Sequence, residues 1–599
     1  MAVALVYDNT TAPEILRPIE GDTVWSEGPV TYNIVQLSNS AELEAFNRQL
    51  PAGTTMTQDL PGYWAPDLAL ALDLINDIVA IDLRLTDAFD ATYLIGQERN
   101  DESLGAANTP SNPDDVFRPG VFFNTLDEAH TTEGELGGGS DRFQTIVHEY
   151  LHSLGLNHPH DTGGSTTLGT GADSVGESMQ APYQWHQTNV SYTSAPGAPG
   201  PGEEDAYTYG RGVTAMALDI AALHRMYGAN MTARTGDTTY QLTDPQSVAL
   251  DLNDDDGTIA IGRAYYGIWD AGSSAGDVIT YEGDSSVVIN LLPATLGAAP
   301  DANLTGTLQA LRDSGVLDQL STSLQTELTN EAHQAGGFFS SILDDGLARI
   351  PGGFSIANGV VIEEASGGSG MDLLIGNGAN NRLIGNGGDD ALFGGDGADR
   401  LLGGDGDDLI IGGASSADLR DVVFAGAGDD SVDAGAGNDQ VFGQDGNDTI
   451  AGGAGVDDLQ GQNGNDVITG SAFSDLVFGG AGNDFVNGGF GHDRINGGSG
   501  ADKFFHVGVE GHGSDWVQDY VAADGDVLLW GGGAATAGDF QVNLAHTAND
   551  AGERSGDDGV QEAFVIYKPS EQIIWALVDG GGQSAINIQI GGDTFDLLG

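Results

Sequence analysis

Cysteine is absent from the 599 residues, and with it go disulfides, thiolate metal sites and cysteine nucleophiles. Basic residues are scarce: 19 Lys and Arg face 89 Asp and Glu, a formal net charge of -70. So acidic a chain repels nucleic acid and anionic membranes, which excludes both as electrostatic partners. Long apolar runs are missing too. The most apolar window, Leu68 to Leu85, is broken by Asp73, Asp77 and Asp82, which argues against membrane insertion and predicts a soluble protein. Met1 to Glu20 has no basic start followed by an apolar run, so no Sec-type leader is expected. What abounds is glycine, 93 residues, together with carboxylate that needs a cationic counterpart, either divalent metal or a salty medium. The length predicts two or three domains.

One stretch carries dense chemistry. His148-Glu149-Tyr150-Leu151-His152-Ser153-Leu154-Gly155-Leu156-Asn157-His158 reads HExxHxxGxxH, the metzincin zinc-protease pattern. On a helix His148 and His152 stand one turn apart on one face, so both rings reach a single ion. Gly155 lets the chain leave the helix in a left-handed conformation and return His158 as third ligand. Three neutral nitrogens leave a fourth position for water, the catalytic arrangement, with Glu149 as general base. A bare HExxH arises by chance on ordinary helices, but the longer pattern fixes five positions. Phe143, Ile146, Val147, Leu151 and Leu154 supply the helix with an apolar face.

Before it, Val30 to Val35 alternates like a strand, Pro66 to Val79 is spaced like a helix, and Ile81 to Leu85 and Tyr93 to Ile95 read as strands. Val121 to Asn124 reads equally well as a core strand and as a sheet edge able to pair with an extended peptide. After it comes a loop-rich stretch, then a short helix from Ala217 to Tyr227 ending at Gly228. Leu317, Leu320, Leu324 and Leu328 predict an inserted helical pair at about 299–348.

From Gly367 to Phe505 a second signal appears, a period of nine residues on the theme Gly-Gly-x-Gly-x-Asp-x-hydrophobic-x, interrupted by one longer unit, Gly412 to Phe424. Such units form tight turns and short strands, two per turn of a parallel β-roll. The sixth position is occupied by Asp390, Asp399, Asp408, Asp430, Asp439, Asp448, Asp457, Asp466, Asp484, Asp493 and Asp502, with Asp372 before them. Asp475 survives in a unit that has lost its central glycines, and Asn381 replaces the aspartate in another. Stacked turns place these carboxylates in rows, and hard oxygen donors of this kind suit several Ca²⁺ ions rather than zinc. A disordered glycine-rich linker is the competing reading in metal-free solution.

Together the two signals resemble the serralysin family, secreted metzincin proteases that join a zinc domain to a calcium-binding β-roll. The resemblance extends through Leu218 to Leu223, Tyr227 to Thr232, Ile268 to Gly272 and Ile356 to Gly368. It implies an α+β metzincin-like catalytic domain, then a parallel β-roll (β-solenoid) with a C-terminal β-rich cap. The expected division is 1–21, an N-terminal extension or propeptide remnant; 22–236, the zinc metalloprotease domain; 237–366, the junction and start of the β-domain; 367–505, the RTX roll; and 506–599, cap and secretion signal. It also implies one catalytic zinc on His148, His152 and His158, with Tyr192 as a switchable ligand that stabilises the oxyanion. Val190 stands where the family has the methionine of its turn under the metal, and Met179 lacks the adjoining Ser-Tyr. A junction calcium site is implied at Arg234, Gly236, Thr238, Asp270, Gly272 and Asp277. The chain would leave the cell by a type I exporter that reads the uncleaved C-terminal end, Thr594 to Gly599.

The expected function is thus a secreted, monomeric zinc endopeptidase acting on polypeptides, with a surface-layer or inhibitor protein as a further partner. The competing reading is a surface or adhesion protein whose roll is the working part, or a protease dedicated to a surface-layer partner. Intact His148, Glu149, His152, His158 and Tyr192 weigh against a decayed site.

Overall fold

The computed structural model describes residues 4–6, 23–25, 29–34, 64–86, 93–98, 105–107, 120–124, 141–156, 211–243, 251–252, 257–262, 264–272, 276–294, 296, 340–343, 352–413, 415–509, 511–546 and 559–599. The chain divides into two compact units, Met1–Ile362 and Glu363–Gly599.

In the first unit, α+β in class, a five-stranded sheet runs in the order Leu83–Leu85, Val30–Ile34, Tyr93–Glu98, Gly120–Asn124, Gly105–Ala107. All neighbours are parallel except the last pair. Gly120–Asn124 is therefore paired on both sides, and Gly105–Ala107 forms the edge. Helix α1 (Ala65–Ile78) starts with proline in its first turn and buries Leu68, Leu72 and Ile75, the face its spacing predicts. The Asn76 side chain then brackets Leu83, accepting its N–H at 2.8 Å and donating to its carbonyl at 2.7 Å, which fixes the return into the sheet. Helix α2 (Asp141–Ser153) packs against α1 and against the strands Gly120–Asn124 and Gly105–Ala107. Helix α3 (Ala217–Tyr227) begins where the Asp219 carboxylate accepts the Met216 N–H and ends at Gly228, whose φ of +83° suits glycine.

Of the expected insertion at 299–348, only 340–343 falls among the described residues, and there a strand, Ser341–Leu343, pairs antiparallel with Ser286–Asn290. In the 1–21 extension, Ala4–Val6 pairs antiparallel with Thr23–Trp25.

The second unit is a parallel β-solenoid. The chain alternates between two sheets, so that Leu383 pairs with Leu401 and Leu374 with Leu392, 18 residues on in sequence. Inward-pointing Leu401, Val441, Leu459 and Val477 from one sheet and Ile410, Ile450 and Ile468 from the other are almost wholly buried and fill the core. Parallel stacking continues past the last clear repeat, through Asp515–Val517 to Gln572–Leu577 and through Val527–Trp530 to Asn587–Ile590. Antiparallel strands Glu562–Tyr567, Phe540–Ala545 and Asp593–Asp596 close the end as a β-rich cap. Among the described residues no helix is long and apolar enough to cross a membrane.

Candidate metal centres

His148, Glu149 and His152 sit on α2 with only 7%, 4% and 9% of their surface exposed. The two imidazole Nε2 atoms lie 3.0 Å apart. His152 Nδ1 lies 2.7 Å from the Leu156 carbonyl, which can only accept, so Nδ1 carries the proton and Nε2 presents its lone pair toward His148. Nitrogens sharing a tetrahedral zinc at about 2 Å stand roughly 3.3 Å apart, so this pair of donors fits such an ion.

The turn after the helix supplies that carbonyl. Gly155 takes φ +100°, its N–H reaches the His152 carbonyl at 2.9 Å, and the Leu156 N–H reaches the Leu151 carbonyl at 3.2 Å. These are the paired bonds of a Schellman ending. One glycine thus both releases the chain from the helix and places the acceptor that orients His152. His158, Tyr192, Val190 and Met179 lie outside the described residues, and among those described no three His, Asp or Glu side chains form a metal-binding group.

A hydrogen-bonded clamp, invisible in the sequence, grips the same helix end. Trp25 Nε1 donates to the Ser153 carbonyl at 2.9 Å, the Tyr227 hydroxyl donates to the Leu154 carbonyl, and the Trp25 N–H donates to the Tyr227 oxygen at 3.3 Å. Tyr32 and the Ser153 hydroxyl share a 2.7 Å bond, and Ser153 in turn donates to the Tyr150 carbonyl at 2.7 Å. Burial pushes the Tyr32 and Tyr227 phenols up, so both stay protonated donors.

The residues expected at the junction site are brought together. Asp270 Oδ2 accepts from Tyr240 and its Oδ1 from the Gly272 N–H, both at 2.8 Å, while that N–H also approaches the Arg234 carbonyl at 3.2 Å. Asp277 Oδ1 accepts the Thr238 N–H at 2.8 Å, and the Thr238 hydroxyl donates to the Gly236 carbonyl at 3.3 Å.

In the roll the aspartates form two rows. One runs through Asp372, Asp390, Asp408, Asp430, Asp448, Asp466, Asp484, Asp502 and Asp526. The other runs through Asn381, Asp399, Asp421, Asp439, Asp457, Asp475 and Asp493. In both, each backbone N–H donates to Oδ1 of the aspartate one turn later, at 2.7 to 3.0 Å. From Asp390 to Asp502 the Oδ2 atoms of both rows are buried without a hydrogen-bond partner. A buried acceptor without a donor calls for a cation or a proton. Burial accordingly holds these carboxyls high, to about 6 at Asp448 and Asp502, about 7 at Asp475 and about 8 at Asp421 and Asp430. Oxygen donors stacked this way are the hard-ligand set calcium prefers. Asn381 needs no ion: its Oδ1 accepts the Asn377 N–H at 2.7 Å and its Nδ2 donates to the Glu363 carbonyl at 3.2 Å. Asp421 escapes the nine-residue count because it falls inside the longer unit Gly412 to Phe424, and Asp526 because it lies past the repeats, 24 residues after the preceding rung.

Residues 366–401, 393–416, 417–450, 442–477 and 469–504 match the RTX calcium-binding nonapeptide repeat. The chain is 31% identical over 248 residues to Metallopeptidase AprA of Pseudomonas marginalis, covering 40% of this chain and 38% of that protein. It is 35% identical over 233 residues to a Serralysin C of Dickeya chrysanthemi (39% and 36%) and 29% identical over 263 residues to Metalloprotease AprA of Pseudomonas entomophila (43% and 41%). The match thus spans about two-fifths of each relative's length. On the calcium-binding repeats and these relatives together, the chain is similar to the serralysins over about two-fifths of its length and carries RTX calcium-binding repeats.

Proposed function

We propose that the chain is a secreted zinc endopeptidase whose calcium-loaded roll governs folding after export through a type I exporter. The observation that carries the peptidase reading is the pair of buried imidazoles, 3.0 Å apart at Nε2, with His152 oriented by the Leu156 carbonyl. His148, His152 and His158 would hold the ion, with Tyr192 as a displaceable fourth group. Bound zinc supplies Lewis acidity, which acidifies water toward a pKa of about 7 and polarises a peptide carbonyl. Glu149, next to His148 on α2, takes the proton from the attacking water and hands it to the departing amine. Tyr192 donates to the oxyanion. Residues Trp25, Tyr32 and Tyr227 do no chemistry; they hold the end of α2 so that its ligands keep their aim.

The roll has a separate duty. Low calcium leaves its carboxylates uncompensated and the chain loose enough to thread an exporter, and millimolar calcium outside the cell adds binding free energy to folding. Replacement Glu149→Gln is expected to retain bound zinc while casein hydrolysis falls by roughly three orders of magnitude or more. Undiminished hydrolysis in that variant would remove Glu149 as the base, and a purified chain without zinc would remove the peptidase reading itself.

A further inference from the structure

Past the last clear repeat the strand Lys503–His506 leads through an irregular turn into Asp515–Val517, and this stretch holds two histidines away from water. His506 is fully buried and His512 is 2% exposed. The Gly508 N–H donates to His506 Nδ1 at 2.9 Å, so the neutral ring carries its proton on Nε2. That Nε2 lies 3.1 Å from His512 Nδ1 and 3.3 Å from the Gly513 carbonyl, which can only accept. His512 Nδ1 is therefore the acceptor of the pair, and the proton of that ring sits on Nε2. Both nitrogens able to take up a further proton already accept an internal hydrogen bond, so charging either ring breaks one.

The same turn ties the last repeat to the cap. From the repeat, the Gly491 N–H donates to the His512 carbonyl at 2.8 Å, and the Phe490 ring lies 4.6 Å from that of His512. From the cap strand Gln572–Leu577, the Gln572 side chain donates to the Gly513 carbonyl at 2.8 Å, and the Trp575 ring lies 5.7 Å from that of His506. On the neighbouring strand Trp530 pairs in register with His506. The titratable groups around the pair are engaged elsewhere. His492 accepts the Ser514 N–H at 3.2 Å, and Asp493, Asp502 and Asp526 each hold the amide of the rung before. Asp515 is pushed well above the usual carboxylate range by burial and by the Asp493 charge, so it supplies little negative charge. Lys503 and Glu571 are exposed, and Glu510 lies outside the described residues. Burial first and the His512 ring second push His506 down to about 4, and burial pushes His512 down as well.

We propose that the turn built on Gly508, His512 and Gly513 is an acid-released latch between the last repeat and the cap, closed while the His506–His512 pair is uncharged and opened when the pair takes up a proton. A charged imidazole in the closed turn would be buried with one of its hydrogen bonds broken, so the opened turn takes the proton instead. The stability that the pair gives the closed turn is complete above the ordinary histidine value of 6.5 and is lost as pH falls from there toward about 4. The row carboxyls respond in the opposite sense, since acid favours their buried neutral form, and a local readout separates the two. The latch stands on neither the peptidase nor the calcium reading.

The test is hydrogen–deuterium exchange of the full chain at saturating calcium, corrected for intrinsic rates, with peptides from Gln440 to Asn463 as the internal reference. Between pH 7 and pH 5 the wild type is expected to lose protection roughly twentyfold at Gly513 to Val517 and Gln572 to Leu577, the ratio that a shift from 6.5 to about 4 gives. The double replacement His506→Gln with His512→Asn keeps a donor and an acceptor near the same places without titrating, and is expected to lose none of its protection over that range. Protection unchanged in the wild type, or falling equally in the double variant, overturns the latch. Should the double variant lack native circular dichroism at pH 7, nitrogen-15 spectra of the histidine rings decide. The wild-type signal that is missing from His506→Gln is expected to be neutral at pH 5 with its proton on Nε2, and a charged ring at that pH overturns the latch.

Discussion

Helix α2 and the roll place their candidate metal ligands in opposite ways. On α2 the imidazoles hang from a helix whose Ile146, Val147, Leu151 and Leu154 are fully buried, so apolar packing and a hydrogen-bonded clamp build the place before any ion arrives. In the roll the carboxylates are themselves the rungs that link one turn to the next, and their second oxygens are left without partners. In the proposed function the first design makes a metal a reagent on a finished scaffold. The second makes it part of the scaffold.

The sharpest way to break this contrast is to withdraw calcium. Chelation is expected to abolish most of the β-sheet circular dichroism of Glu363–Gly599, while withdrawal of zinc alone is expected to leave the spectrum of the whole chain unchanged. Equal loss in both conditions would erase the distinction.

Acid offers a milder probe. The row carboxyls rise in the fold from 3.8 to between about 6 and about 8 at Asp448, Asp475 and Asp421, so the metal-free roll favours their neutral form. Its stability is complete below about pH 4, where the unfolded chain is protonated as well, and drains away as pH climbs through 6 to 8. Urea midpoints of the calcium-free chain should therefore fall from pH 4 to pH 8, and saturating calcium should flatten or reverse that slope. A midpoint that rises with pH in the absence of calcium would contradict the burial of these groups.

The smallest expected effect lies at the clamp. Tyr227→Phe leaves the Leu154 carbonyl without its hydroxyl donor, a loss of about 1–3 kcal/mol in stability, and is expected to weaken zinc about tenfold by chelator competition. Unaltered zinc affinity at reduced stability would confine the clamp to a structural part.

Legibility followed range. His148, Glu149, His152 and the left-handed Gly155 were readable because one helix turn and one helix ending decide them within eight residues. The rows were readable because a strict period repeats the same geometry, and Asp475 was recognisable even in a unit stripped of glycines. Asp421 and Asp526 were not, because longer turns shift them off the count while stacking returns them to the row. The clamp was beyond reach, since Trp25 meets Ser153 across 128 residues and no local pattern encodes such a meeting. Pairing order was equally hidden: Val121 to Asn124 read as edge or core alike, and only the sheet shows Gly105–Ala107 lying outside it.

The rungs of the roll also have a direction. Every amide in a row is satisfied by the aspartate that follows it in the chain, never by the one before. Trimming from the C-terminal side would strand an inward amide donor, whereas trimming from the other side would merely free an acceptor oxygen that an ion or water can take. The roll is thus a polar stack with a sense along its axis, each rung from Asp372 to Asp502 closed by the coil that follows it.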